Sequence, residues 1–178
     1  MIWSSEPDCH SHSAVCMRAV WSSLQAAAMR YDFPLALIVI GWGSPSGEPA
    51  TGDLVRRSGA VDLVRSVLRA SDLVGELDED RVVAILTHTS APQAARAAER
   101  VAEALGPQEG DDQHALVWPR LAVSDLGGGR VGTDLLGRTL VALKQATAAG
   151  LGKAEPVIHV VTDSSELAIA DSSAALGR

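Results

Sequence analysis

A chain of 178 residues that is 47% hydrophobic is long enough for one domain with a substantial core and short for two. Its net charge of -7 and the lack of any Lys/Arg-rich run exclude a surface built to collect nucleic-acid phosphates or anionic lipids, so neither nucleic acid nor a membrane is an expected partner. A small anion could still be held by a local pair of arginines. Cys9 and Cys16 lack Cys-x-x-Cys spacing, which signals neither a disulfide framework nor a zinc site. The longest apolar run, Pro34 to Ile40, is too short to span a bilayer, and no basic region followed by an apolar stretch opens the chain. Together these features predict a soluble, cytoplasmic protein.

Residues 1–13 are polar and aperiodic, a flexible leader by composition. From Ala14 to Tyr31 apolar residues recur at helical spacing, with Ser13 as the expected N-cap. Leu35 to Ile40 is a continuous aliphatic run, as expected for a strand covered on both faces. Gly41 to Gly52 has loop composition, and Leu54, Val61, Val64 and Leu68 then mark one stripe of a helix ending near Arg69. Leu73-Val74 and Val82 to Leu86 flank a polar turn, Glu76 to Arg81, and predict a hairpin.

Ala94, Ala98, Val101 and Leu105 fall at intervals of four, three and four, so Ala91 to Leu105 is a helix, stopped by Gly106-Pro107. Glu109 to Asp112 reads as an acidic surface loop, and His114 to Ser124 as a strand interrupted by Pro119. Asp134 to Ala149 is helical and closed by Gly150, and Val157 to Val161 is a last strand. Residues 163–178, rich in serine and alanine, read as a flexible tail. The expected fold is therefore α/β, one domain over residues 14–162, with a central mixed or mostly antiparallel sheet flanked by helices.

The order of elements and the stretch from Val67 to Leu86, with Arg69-Ala70-Ser71-Asp72 placed five residues before Asp78-Glu79-Asp80-Arg81, resemble the GGDEF domain of diguanylate cyclases. The resemblance runs from about Phe33 to Val161 and implies a nucleotide cyclase-like fold. Cyclases of that family condense two GTP into cyclic di-GMP, with carboxylates holding divalent metal against the phosphates.

Position by position, the resemblance implies lost catalysis. The family's metal-binding aspartate on the first strand falls on Val39 or Gly41, neither of which has a side chain that ligates metal. Asp78 and Glu79 replace a glycine pair that lets backbone approach GTP, adding bulk and negative charge beside a triphosphate. Asp80 matches the family's first acidic residue, but Arg81 stands where a second acid is expected. The phosphate-binding lysine and arginine of the last long helix fall on Thr147 and Leu151. Asp53 aligns with a guanine-reading aspartate across a shortened loop. The expectation is a domain that is not an enzyme and carries no cofactor or metal.

The Arg-x-x-Asp is intact. In the family it is an inhibitory site for cyclic di-GMP, where arginine meets phosphate and a guanine edge and aspartate accepts guanine N–H groups. Arg69 and Asp72 have the chemistry for those roles, a planar donor fork and a bidentate acceptor. Their expected place, a helix-to-strand junction, predicts solvent accessibility, and Arg65, Arg56 or Arg57 could add charge. The plainer reading of the pair is a solvated ion pair or a helix-end contact. Two functions follow: a cyclic di-GMP receptor acting on a protein partner of unknown identity, or a nucleotide-independent scaffold for protein contacts. Cys9-His10-Ser11-His12 and Gly127-Gly128-Gly129-Arg130 are read as polar leader and flexible turn rather than metal or phosphate sites. Trp3, Trp21, Trp42 and Trp118 are either core or a partner surface.

Overall fold

The structure is a computed structural model that describes residues 14–44, 54–109, 116–126 and 134–161. The elements run α1 (Ala14–Tyr31), β1 (Leu35–Gly43), α2 (Leu54–Val67), β2 (Leu73–Asp78), β3 (Arg81–Thr87), α3 (Ala91–Leu105), β4 (Gln108–Glu109), β5 (Leu116–Leu126), α4 (Leu135–Ala149) and β6 (Val157–Val161). The order along the sheet is β2-β3-β1-β5, all antiparallel. β6 pairs with β5 in parallel along the edge opposite β1, and the two-residue β4 pairs with Leu116 and Val117. The α/β, mostly antiparallel expectation holds.

β1 is the centre. Its residues Leu35 to Ile40 are fully buried, because β3 and β5 occupy both edges and helices cover both faces. Alternation divides them between two cores. Ala36, Ile38 and Ile40 join Ala60 and Val64 of α2 and the alanine face of α3, whereas Leu35, Leu37 and Val39 join Met17, Trp21 and Ala28 of α1 and Leu135, Ala142 and Leu143 of α4. Each large aliphatic side chain so buried contributes about 1.5–3 kcal/mol.

Local chemistry sets the helix ends. Ser90 N–H donates to Gln93 Oε1 at 3.0 Å, Asp125 of β5 accepts from Ala91 N–H at 3.0 Å, and Gly106 takes φ 52° to donate back to Ala102 O. Asp134 Oδ1 accepts from Gly137 N–H at 2.8 Å and begins α4. On the buried face of α4, Thr139 Oγ1 touches Ser124 Oγ of β5 and donates to Leu135 O at 2.6 Å.

Several expectations need correction. The hairpin turn is only Glu79-Asp80, because β2 runs to Asp78 and β3 starts at Arg81. β5 continues through Pro119, which stands opposite Trp42, rather than breaking there. Glu109 lies in β4, not in a loop. Trp21 is core, and Trp42 packs against the α2–α3 side. Ser13, the leader, Trp3, the glycine run at 127–129 and the tail lie outside the described residues.

Arg120 of β5 is completely buried. Its guanidinium donates to the carbonyls of Glu155 at 2.6 Å, Gly150 at 3.0 Å and Lys153 at 3.4 Å, stitching β5 to the turn between α4 and β6. Burial lowers its pKa, and the nearby Glu155 charge opposes that. Acceptance by the carbonyls at the negative end of α4 lets the charge remain inside. The arrangement requires glycine at 150, where a Cβ would collide with Arg120 Cζ. Gly150→Ala is therefore expected to displace the guanidinium and lower stability by about 1–3 kcal/mol in urea titration.

His159 of β6 is 2% exposed, and burial lowers its pKa below 6.5. Below that pH the unfolded chain takes up a proton that the folded chain refuses, so this residue's contribution to stability falls as the solution is acidified. His159→Leu should lose less melting temperature than the native chain between about pH 7.5 and about pH 5.

Candidate functional site

The chain leaves α2 at Val67 and enters β2 at Leu73 through a tight turn whose two ends are Arg69 and Asp72. They close it reciprocally. Asp72 N–H donates to Arg69 O at 2.9 Å, and Arg69 N–H donates to Asp72 Oδ2 at 3.0 Å. A short carboxylate reaching back to a backbone donor is a familiar reason for aspartate in such turns. Arg69 projects into solvent, as expected.

Asp72 departs from the expected accessibility: it is 8% exposed. Its Oδ1 is shielded from solvent and meets no donor among the described residues, a costly condition for an acceptor that is ordinarily ionised. The carboxylate is thus half committed, with one oxygen fixing the turn and the other unmatched.

Arg65, one turn back on α2, reaches across. Its Nη2 donates to Val74 O at 3.1 Å on the outer edge of β2, and its Nη1 approaches Asp62 Oδ1 at 3.3 Å. Its guanidinium therefore sits at the same α2–β2 junction, already partly engaged. The side chains of Arg56 and Arg57 lie outside the described residues, as does Asp53.

At the other end of β2, Asp78 faces Arg81 on the last rung of the hairpin, and their side chains form an ion pair. Both are about 30% exposed (33% for Arg81 and 27% for Asp78), so solvent screening keeps the pair's value below about 1 kcal/mol. Asp78 Oδ1 also accepts from Asp80 N–H at 3.0 Å, leaving Glu79 and Asp80 exposed at the turn. Arg81 reaches back over β1: a Cβ on Gly41 would lie 3.9 Å from its Cγ and 3.4 Å from Leu143 Cδ2.

Val39, two residues earlier, is sealed between Val83 and Ala122 on its neighbouring strands. On α4, Thr147 turns its hydroxyl back to Leu143 O at 2.9 Å, and Leu151 is exposed. Three of the sequence positions of interest, Gly41, Arg81 and Asp78, do come together. What they assemble is an aliphatic cover and an internal ion pair, which does not fit a divalent cation that needs several converging oxygens. Among the described residues no group of three His, Cys, Asp or Glu side chains is arranged to hold a metal.

The sequence reading did not identify the burial of Asp72 or the reach of Arg65 to Val74. The first had a faint signal, since Asp72 stands just ahead of β2, where Val74, Gly75 and Leu77 are buried. The second depends on the helix packing and had none.

No family model and no curated protein matches the chain. Solved structures do. The chain is similar to the active GGEEF domain of a diguanylate cyclase from Vibrio cholerae, at 19% identity over 83% of this chain and 97% of that one, with a TM-score of 0.63. It is similar to the GGDEF domain of DgcB from Caulobacter crescentus, solved in complex with c-di-GMP, at 12% identity, 85% and 98% coverage and a TM-score of 0.62. It also matches the diguanylate cyclase SiaD from Pseudomonas aeruginosa, solved with its activator SiaC, at 18% identity, 79% and 57% coverage and a TM-score of 0.57. At such identities the likeness speaks to architecture: the chain has the GGDEF-domain fold.

The turn geometry separates the two residues by measurement. Asp72→Ala should cost about 1 kcal/mol by loss of the bond to Arg69 N–H, while Arg69→Ala, whose side chain is in water, should stay within about 0.5 kcal/mol in chemical denaturation.

Proposed function

We propose that this GGDEF-fold chain is a catalytically inactive signalling domain that binds cyclic di-GMP through Arg69 and Asp72 and thereby regulates a protein partner. The observation that carries the reading is the half-committed carboxylate. Asp72 Oδ2 is tied to the turn, which orients Oδ1, and Oδ1 has no donor among the described residues. Oδ1 is shielded in the turn as it stands, so a guanine edge, which offers paired N–H donors, would reach it with a local opening of that turn, and the exposed Arg69 fork beside it suits a phosphate or a guanine acceptor. Arg65, already at the junction, adds positive charge there.

Inactivity is the companion proposal. Val39 is sealed in the core, Gly41 is covered by Leu143 and Arg81, and Asp78 is paired with Arg81. GTP and metal would meet a paired Asp78, the exposed acidic turn Glu79-Asp80 and an aliphatic wall. No described helix is long and apolar enough to cross a membrane. The complex of SiaD with its activator is a precedent for protein contacts made by a relative of this fold.

A second reading has its own support. Because Asp72 closes the turn and is mostly buried, the Arg-x-x-Asp could be retained for architecture alone, in a scaffold that contacts proteins without nucleotide. Calorimetry separates the two. Cyclic di-GMP added to the native chain should give saturable heat with a Kd of tens of micromolar or tighter, roughly -6 kcal/mol or more favourable, and Arg69→Ala should weaken it at least about tenfold. Absence of heat at those concentrations favours the scaffold. Incubation with GTP and magnesium should yield no dinucleotide; a detectable product would overturn the inactive assignment.

A further inference from the structure

The two ends of the sheet are finished differently. β2 ends one side, and there Arg65 takes up the outward carbonyl of Val74 while Glu76 and Asp78 supply charge. These are the ordinary means by which an edge strand is kept from pairing with another chain. β6 has none of them. One of its edges pairs with β5 from Val157 to Val161, and the other pairs with no strand among the described residues. Its sequence is Val-Ile-His-Val-Val: four β-branched apolar residues, no proline, no formal charge and an unbroken register. Ile158, Val160 and Val161 remain partly exposed, so apolar area is still uncovered there.

We infer that β6 is the contact of a symmetric dimer, pairing antiparallel with β6 of a second copy about a two-fold axis at His159. An axis perpendicular to the sheet keeps each side chain on its own face, so that Val157 lies opposite Val161 of the second copy, Ile158 opposite Val160, and His159 opposite itself. Every rung then joins apolar to apolar, apart from the central imidazoles. Ile158 and Val160, which pack towards the α2–α3 core, would extend that layer into the second copy.

The run Val-Ile-His-Val-Val, which sets apolar against apolar on every rung flanking His159, is what suits β6 to a second copy, and the guarded β2 edge is what closes the pair. A strand added at β6 finds no further open edge at the far side of either molecule, so growth stops at two and does not run on into a fibre. Five paired residues cover less than the about 1,200 Å² of a stable interface, which makes the dimer weak, with a Kd on the order of tens of micromolar. Each copy also carries a net charge of -7, so added salt should strengthen association by screening that repulsion.

Cross-linking reads the register directly. In a background with Cys9→Ser and Cys16→Ser, Ile158→Cys and Val160→Cys chains mixed and oxidised should form a disulfide-linked dimer about tenfold more than either variant alone. Directly opposed Cβ atoms are within disulfide reach, whereas the diagonal pairs of a single variant are about 7–8 Å apart. Sedimentation of the unmodified full chain should show monomer giving way to dimer over about ten micromolar to about one millimolar, at lower concentration in higher salt. Val160→Lys, folded by circular dichroism, should remain monomeric. Equal cross-linking in all mixtures would overturn the register, growth beyond two would overturn the closed pair, and a monomer at every concentration would overturn the dimer itself.

Discussion

The constraint on which the rest of this protein depends is the complete enclosure of β1. A strand with partners on both edges and helices on both faces has no direction in which a polar side chain can reach water, so its interior must be aliphatic. That fixes the two cores, since even-numbered residues from Ala36 to Ile40 feed one and odd-numbered residues from Leu35 to Val39 the other. It also reaches into function. A carboxylate at Val39 would need compensating charge or metal around it, and the neighbours here are Val83, Ala122 and the packed face of α4. The aliphatic character of this strand follows from that packing.

Around that centre, several of the described polar groups stitch one element to another. Arg120 fastens the α4–β6 turn, Asp125 begins α3, Asp134 begins α4, and Arg81 closes the hairpin with Asp78. At the junction between α2 and β2 a stitching residue keeps one oxygen unmatched beside an exposed guanidinium, as Arg120 keeps its Nε unmatched beside the α4–β6 turn. The same carboxylate serves the turn with one atom and buries the other without a donor among the described residues.

Much of the architecture was legible in the sequence because it rests on local periodicity. The bounds of α1, α3 and β6 coincide with those read from spacing and breakers, and the hairpin was visible as two apolar runs about a polar turn. The polarity of Glu76 and Asp78 concealed how far β2 extends, since residues near the end of a hairpin can be charged and still paired. Pro119 misled for a related reason: a missing N–H ends a strand only where a partner needs that donor. Arg120 and His159 left almost no trace, because their burial depends on glycines 43 and 150 and on α4 packing across the sheet. The exposed fork of Arg69 followed from its junction, but the burial of Asp72 required the third dimension.

The buried guanidinium of Arg120 has a consequence for descent. Positions 43, 120 and 150 are sterically linked: a side chain at 150 would overlap the arginine outright, and one at 43 would press on it at 3.2 Å. Position 150 cannot gain a side chain while the arginine stays. A sibling of this chain with a bulkier residue at 150 should also have surrendered the arginine, and the reverse loss would release both glycines to vary. In other chains of this fold, an arginine at 120 should accordingly travel with a glycine at 150.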